Sequence, residues 1–457
     1  MTIATAELLR QHLIDPEICI RCNTCEETCP VGAITHDARN YVVRADTCNE
    51  CLACVAPCPT GAIDNWRTMR RADAYSIEQQ FTWDILPTAN ELAANLTPTE
   101  LTAIEVAAAE LPAIERAPLA PGSGHESGSL NSSASPATGA AGLPEQSLAG
   151  AAIAGALVAP KSASRPQVNL YTARNPLRAT VTGNFRVTGA ECDSDTHHIV
   201  FDFGSMALPV LEGQSIGVIV PGLDASGRPH PARQYSVASP RDGERAGYNN
   251  VALTVKRVTT GHDGQAVRGL CSNYLCDLNK GDTVQVIGPF GKTFLMPDDP
   301  ASNLLMICTG TGAAPMRAMT ERRRRQRGAG GNADRQADQE GAPTGRLLLF
   351  FGARTQQELP YFGPLMNLPH DFIDVNLALS RAPDVPRRYV QDAMSERADD
   401  IAALLGDERT HIYVCGVRGM EGGALDALRA AAARRALHWE SVHASLVRDG
   451  RLHLETY

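Results

Sequence analysis

Two stretches of the chain share one cysteine rhythm. CIRCNTCEETCPVGAI at 19–34 and CNECLACVAPCPTGAI at 48–63 both read C-x2-C-x2-C-x3-C-P, then one residue and Gly-Ala-Ile, at an offset of 29 residues (Cys19 to Cys48). Eight of the 13 cysteines lie between 19 and 58, and the other five, Cys192, Cys271, Cys276, Cys308 and Cys415, are scattered. In a reducing cytosol, thiols this dense and this closely spaced are metal ligands far more often than disulfides. One run alone could be a zinc site with a spare cysteine. Zinc sites use four ligands, commonly as two pairs and often with histidine, and His36 stands outside the repeat.

The duplicated pattern resembles that of the bacterial two-cluster ferredoxins. The resemblance implies that Cys19, Cys22, Cys25 and Cys58 hold one [4Fe–4S] cluster, and that Cys48, Cys51, Cys54 and Cys29 hold a second. Reach accounts for the crossing. Three thiolates at x2 spacing wrap one cubane, and the proline turns the chain so that the fourth sulfur meets the other. All eight ligand positions are cysteine, with no sign of a three-iron centre.

The start, MTIATAELLRQHLI, lacks the basic opening and unbroken apolar core of a signal peptide. The longest apolar stretch, AGAAIAGALVA at 149–159, falls short of the roughly 20 residues that a membrane-spanning helix needs. A cytoplasmic protein with no membrane association is the expectation. The formal charge of −9 is uneven: residues 71–160 hold ten acidic against two basic residues, whereas 161–457 hold 32 against 34. No domain-wide basic face points to nucleic acid.

About three domains are expected from 457 residues. A ferredoxin domain is assigned to 10–70, and an acidic extension to 71–116. In that extension Thr97, Pro98 and Glu100 read as a capped helix start, with Leu101, Ile104, Ala108 and Leu111 on one face. Residues 117–165, rich in Ala, Gly, Ser and Pro, read as a flexible linker. Its end-to-end distance would be roughly 40 Å, enough for the ferredoxin to swing. Short β-type runs such as HHIVFDF, SIGVIV, NVALTVKRV and DTVQVIG predict an antiparallel barrel over 166–298. From NLLMICTG through RLLLFFGA, FIDVNLALS and HIYVCG, strands alternate with helical segments, predicting a doubly wound parallel sheet over 299–457. The fold class is therefore multidomain, α+β and α/β. The arginine run at 322–325 reads as the solvated end of a helix entering a mobile loop.

Across about 165–457 the chain resembles the plant-type ferredoxin–NADP reductases. EGQSIGV, RQYSVAS, GLCSNYLCDLNKGD, GPFGK, GTGAAPMRAM, YVCGVRGME and the terminal ETY occur in family order. The resemblance implies an FAD-binding barrel. Arg233 would offer its planar fork to the flavin pyrophosphate, with Gln234 beside it. Tyr235 would pack on the isoalloxazine, and Ser236 would lie near its reactive N5. Lys256 joins this set, and Cys271 and Ser272 would support the second phosphate at a helix start. Where the family stacks the adenine on a tyrosine, this chain has Thr260. Tyr457 would park its ring against the flavin. Cys415 and Glu455 match the positions beside the nicotinamide and the flavin, and with Ser236 and Tyr457 they form the expected catalytic set.

The same resemblance implies a nicotinamide site built from Gly310, Thr311, Gly312, Pro315, Gly416 and Met420. Ser380, Arg381, Arg387, Arg388, Tyr389 and Gln391 match the family's grip on the 2′-phosphate and adenine, so NADPH is expected over NADH. The cofactors expected are FAD, NADPH and two [4Fe–4S] clusters. A ferredoxin fused ahead of such a reductase resembles the reductase component (component A) of the benzoyl-CoA 2,3-epoxidases, which implies a di-iron oxygenase as electron acceptor. The reading allows a homodimer. Two alternatives are a relay running backwards to reduce NADP and an iron–sulfur redox sensor.

Overall fold

The cysteine repeat folds round a small core of its own. Strand β1 (Leu8–Leu13) is followed by α1 (Thr24–Thr28), the hairpin β2 (Ile34–His36) and β3 (Tyr41–Val43), and β4 (Asn65–Arg70), which pairs antiparallel with β1 from Leu8↔Arg70 to Leu13↔Asn65. Ile14, Ile34, Val43 and Ile63 fill the interior with Cys25 and Cys54. The extension is tied back by α2 (Ile77–Phe81), which Ser76 and Gln79 start with a reciprocal capping box. Asn40, 3% exposed, then donates to the carbonyls of Gln80, Phe81 and Trp83, satisfying chain ends that burial would otherwise leave unpaired. This computed structural model describes residues 8–55, 57–87, 163–261, 264–329, 344–383 and 386–457. The helix expected from Thr97 and residues 117–162 of the expected linker lie outside them.

The second region is an antiparallel barrel. Its strands are β5 (Leu177–Arg186), β6 (Thr196–Asp202), β7 (Ser215–Ile219), β8 (Arg233–Ser236), β9 (Asn250–Lys256) and, after helix α3 (Leu270–Cys276), β10 (Thr283–Phe290). They run in the order β8-β7-β10-β5-β6-β9. Strand β5 buries Leu177, Ala179 and Val181 while the residues between face out, the period-two pattern of a strand with one wet face. The two edge strands meet only just past β8, where Val237 pairs with Leu253 and Ala238 N–H donates to Ala252 O at 2.8 Å. The outer edge of β8 itself stays open, and Arg233 and Gln234 are exposed on it.

The third region is a parallel sheet in the order β13-β12-β11-β14-β15, made of β11 (Asn303–Thr309), β12 (Leu347–Ala353), β13 (Asp374–Leu379), β14 (Thr410–Gly416) and β15 (Leu452–Thr456). Its central strands are apolar throughout because both faces are covered. Leu305, Ile307, Phe350 and Val414 point to the side of α6 (Val390–Glu396), α7 (Ala398–Leu405), α8 (Glu421–Arg434) and α9 (Trp439–Arg448). Leu304, Met306, Phe351 and Tyr413 point to the side of α4 (Ala313–Ala329) and α5 (Phe362–Met366).

The described residues fall in one compact unit. Barrel and sheet are locked by a buried network. Arg317 forks onto Glu244 at 2.7 and 2.8 Å, and the Tyr361 hydroxyl meets His198 Nδ1 at 2.8 Å and Thr254 Oγ1 at 2.7 Å. The ferredoxin region is seated on the reductase. Arg245 donates to Val55 O at 3.2 Å and to Asp64 at 2.8 Å, and Asn367 donates to Asn40 at 3.4 Å. The arginine run departs from its expected solvated state. Arg323 is 4% exposed and donates to Ser302 O, and Arg325 donates to Gly243 O and Glu244 O. Arg324 faces Glu321 and the ferredoxin's Asp15 and Glu17. The run at 322–325 is covered because the ferredoxin region and the barrel loop at 242–245 pack on it, whereas Arg327 beyond it is exposed.

Candidate functional site

The repeat is visible in the backbone. Left-handed residues recur at matching positions in the two copies: Arg21 and Glu50 (φ 59° and 56°), Asn23 and Leu52 (63° and 61°), Gly32 and Gly61 (63° and 76°). Such φ values curl the chain tightly, so that thiols two residues apart can face one centre. They do so in two sets. The Cys25 thiol, pushed up by burial, has the Cys19, Cys22 and Cys58 sulfurs as its neighbours. The Cys54 thiol, raised for the same reason, has those of Cys48, Cys29 and Cys51. Cys19, Cys22, Cys25 and Cys58 line one cavity. Among the described residues no three Cys, His, Asp or Glu side chains close on a point suited to a single ion. The thiols ring a wider space instead, and the donor set fits an iron–sulfur cluster. Ala33 N–H donates to Cys29 Sγ at 3.2 Å and the Thr24 hydroxyl to Cys22 Sγ at 3.3 Å, contacts of the kind that tune cluster potentials. His12 stacks on Trp66 at 3.8 Å beside Cys54, and burial holds it down to about 4, so it is neutral.

The residues expected at the flavin gather where β8 faces the end of β15. Ser236 Oγ donates to Glu455 Oε2 at 3.4 Å, and burial pushes the Glu455 carboxyl up to about 7. Tyr235 packs against the barrel core beside Cys271, which belongs to that core. Among the described residues the Arg233 guanidinium makes no side-chain hydrogen bond or ion pair, so its fork can meet an anion. The Ser272 hydroxyl accepts from Val258 N–H at 3.1 Å and donates to Gly269 O at 3.3 Å, at the start of α3. The neighbouring backbone N–H groups of that first turn have no partner within the helix and are the other part of the expected phosphate support. Thr260 bridges Ala266 in an exposed loop. An open strand edge, a free guanidinium and a half-buried tyrosine fit FAD.

The nicotinamide residues converge on the sheet's switch point, the crevice beyond the carboxyl ends of β11 and β14 where strand order reverses. Gly312 backs directly onto Cys415, whose carbonyl oxygen would be 2.2 Å from a Cβ there. Gly416, at φ 146°, abuts Thr309 in the same way, and Gly310 is left-handed at φ 54°. Pro315 sits in the first turn of α4, where its missing N–H is harmless. Cys415 is 1% exposed, and burial followed by the nearby Glu455 keeps its thiol neutral. Tyr457 is no frayed end. Its N–H donates to Gly416 O, its carbonyl accepts from Arg418 N–H, and its hydroxyl lies 2.5 Å from Thr311 Oγ1, while 59% of the residue is exposed.

A cleft of about 490 Å³ opens from this point, lined by Lys256, Gly310, Thr311, Ser380, Arg388, Tyr389, Gln391 and Met420 among others. Arg388 is already engaged with Glu396 and with Leu377 O. Arg387 leans on the Tyr389 hydroxyl at 3.3 Å, and Arg381 is exposed at the rim with no side-chain partner among the described residues. Arg388 lines the cleft itself, with Arg381 and Arg387 next to lining residues, and the cleft fits a dinucleotide. Sequence reasoning missed Arg354 and Glu358, which also line the cleft and pair at 2.8 Å. The signal available was position: Arg354 directly follows β12, on the ligand-binding side of such a sheet.

Residues 11–62 match a family model described as a 4Fe-4S dicluster domain, and residues 306–426 one described as an oxidoreductase NAD-binding domain. The ferredoxin–NADP reductase of Thermosynechococcus vestitus is 38% identical over 299 residues, 64% of this chain and 75% of that protein. That of a Spirulina species is 35% identical over 298 residues, 64% of this chain and 98% of its own. A solved structure, the ferredoxin-NADP+ reductase from Plasmodium falciparum, aligns over 64% of this chain and 100% of its own, at 21% identity and a TM-score of 0.49. The open flavin edge, the switch-point cleft and the ringed thiols thus have a common explanation: the chain belongs to the ferredoxin–NADP reductase family and carries a 4Fe-4S ferredoxin-like domain ahead of the reductase.

Proposed function

We propose that this chain draws electrons from NADPH and delivers them through FAD and two [4Fe–4S] clusters to a separate protein. On this reading the acceptor is the di-iron oxygenase that epoxidises benzoyl-CoA, and the chain is that enzyme's component A. The observation that carries it is the ferredoxin region seated on the reductase by Arg245 and Asn367 within one chain. When bound, FAD supplies the exchange between hydride chemistry and single electrons, and the clusters carry electrons one at a time. The protein's own part is positioning. Arg381, Arg387 and Arg388 would hold the 2′-phosphate, Gly312 and Gly416 let the loops after β11 and β14 pack closely enough to shape the crevice, and the neutral Cys415 thiol would lie beside the nicotinamide. Tyr457, held by Thr311 and 59% exposed, would lie against the flavin and give way to nicotinamide. Glu455, pushed up to about 7, holds or releases a proton through the Ser236 hydroxyl near neutrality.

The test is NADPH oxidation by the purified chain with and without a di-iron oxygenase and benzoyl-CoA, together with rapid-mixing spectra. Stimulation by oxygenase plus substrate, with iron–sulfur absorption lost after the flavin band, is the expected result. Flavin reduction with no loss of iron–sulfur absorption would refute the internal relay. A working relay with no response to the oxygenase would refute the partner alone.

A further inference from the structure

The two copies of the cysteine repeat share a backbone but not an environment. In the first copy Arg21 and Asn23 are half-buried. Arg21 donates to Asp37 O at 2.8 Å, and together with Ile20 it lines a cleft against Gln357, Phe362 and Gly363 of the reductase. The equivalent residues of the second copy, Glu50 and Leu52, are exposed, and so is Cys51 between them. Of all 13 cysteines Cys51 is the one exposed. Leu52 is 38% exposed, and Val31, two residues past Cys29 of the same thiol set, is 39% exposed. Docking on the reductase has therefore broken the symmetry: Arg245 reaches Val55 O and Asp64 further along the second copy, but its turn at 50–52 stays exposed while Arg21 and Asn23 are half-buried.

Charge gives the bare loop a polarity. Asp46 and Glu50 are exposed at its rim, while Arg44 is half-buried with its guanidinium on Gly32 O at 3.4 Å and Arg245 is turned onto Val55 O and Asp64. An apolar centre of Leu52 and Val31 with an acidic rim is complementary to a basic face with an apolar centre.

We propose that the loop around Cys51, with Val31, Leu52, Asp46 and Glu50, is the docking surface for a basic one-electron acceptor protein, so that electrons leave by the second thiol set and enter by the first. The proposal rests on the relay reading above and adds its direction and exit. The balance is NADPH plus two oxidised acceptors giving NADP+, one proton and two reduced acceptors.

The probe is oxidised cytochrome c, a basic one-electron haem protein, offered to the cofactor-loaded full chain. In the double variant Asp46→Lys/Glu50→Lys, kcat/KM for cytochrome c falls about tenfold at low salt and loses its salt dependence. Reduction of ferricyanide, a small anion, does not fall. Leu52→Ser, which keeps the charge, weakens cytochrome c reduction while preserving the salt dependence. A second readout does not depend on turnover: deuterium uptake at residues 46–52 slows when cytochrome c is added to wild type and not when it is added to the double variant. Unchanged cytochrome c kinetics, or protection falling on 353–391 instead, overturns the proposal. If NADPH never bleaches the iron–sulfur absorption of wild type, the relay reading fails, while the deuterium footprint still decides where the acceptor docks.

Discussion

Replacing Glu244 by alanine tests what holds the barrel against the nucleotide-binding sheet. Glu244 is 2% exposed and accepts both arms of Arg317 at 2.7 and 2.8 Å, with His198 Nε2 at 3.3 Å but out of line for a hydrogen bond. Burial works against its charge, yet the Arg317 guanidinium overrides burial and holds the carboxyl far below its ordinary range. His198 lies entirely inside, so burial keeps it neutral and the ion pair is with Arg317 alone. Removing one partner of a buried pair costs about 3–5 kcal/mol, because the other charge stays buried and unpaired. Arg317 would keep its bond to Ala238 O at 2.8 Å, which places Glu244→Ala near the lower end, about 3 kcal/mol. The double variant Glu244→Leu/Arg317→Met removes both charges and is expected within about 1 kcal/mol of wild type. Urea titration followed by circular dichroism reads both, with the midpoint shift taken at constant slope. The sign with pH also follows. A depressed carboxylate stabilises above its unfolded value of 4.5, and that contribution disappears as pH falls through the folded value, so the gap between wild type and Glu244→Ala narrows in acid. A loss below about 1 kcal/mol for Glu244→Ala, or a double variant as unstable as the single one, would refute the reasoning.

Glu455 behaves in the opposite sense: its carboxyl is raised from 4.5 to about 7, so the stability linked to its proton is complete below 4.5 and is lost as pH rises through about 7. Thermal unfolding of Glu455→Gln at pH 5 and pH 8.5 should show a smaller fall in Tm than wild type. Glu17, which burial and then Asp15 also raise to about 7, adds to the fall, whereas the buried neutral histidines His12, His411 and His453 oppose it by gaining stability as pH rises through 6.5. Arg381→Ala should raise KM for NADPH about tenfold, roughly 1.4 kcal/mol, and leave NADH nearly unchanged. Equal effects on both nucleotides would remove Arg381 from the 2′-phosphate.

Periodicity made the three regions legible, because each element's burial pattern is local. The alternation of β5 and the continuous apolar runs of β11 and β14 report directly whether one or both faces are covered. The thiols were legible for a different reason, since two copies of one spacing admit few geometries. What the sequence hid is long-range. Nothing near ERRRR says that Arg323 and Arg325 will be covered by Ser302 and by the barrel loop at 243–244. Nothing near Tyr361 announces His198 and Thr254. Ser272 shows the limit of motif reasoning: the residue stands where expected, but its hydroxyl faces its own backbone. Arg388 lines the cleft as expected, but its pairing with Glu396, eight residues on, was equally hidden.

The curled backbone of the repeat has a consequence for how the molecule comes to exist. Arg21, Asn23, Glu50 and Leu52 hold conformations that ordinary side chains avoid, at a cost on the order of 1 kcal/mol each. The core beneath them is small, with Ile14, Ile34, Val43 and Ile63 among its larger members. Tying the thiols is what offsets that strain, so acquiring the metal and acquiring the shape are one event for this region. The reductase, with its own cores, has no such dependence. A cell short of iron would therefore make a chain whose front end is unformed while its nucleotide-binding end is complete, and iron supply would set how many copies can pass electrons on.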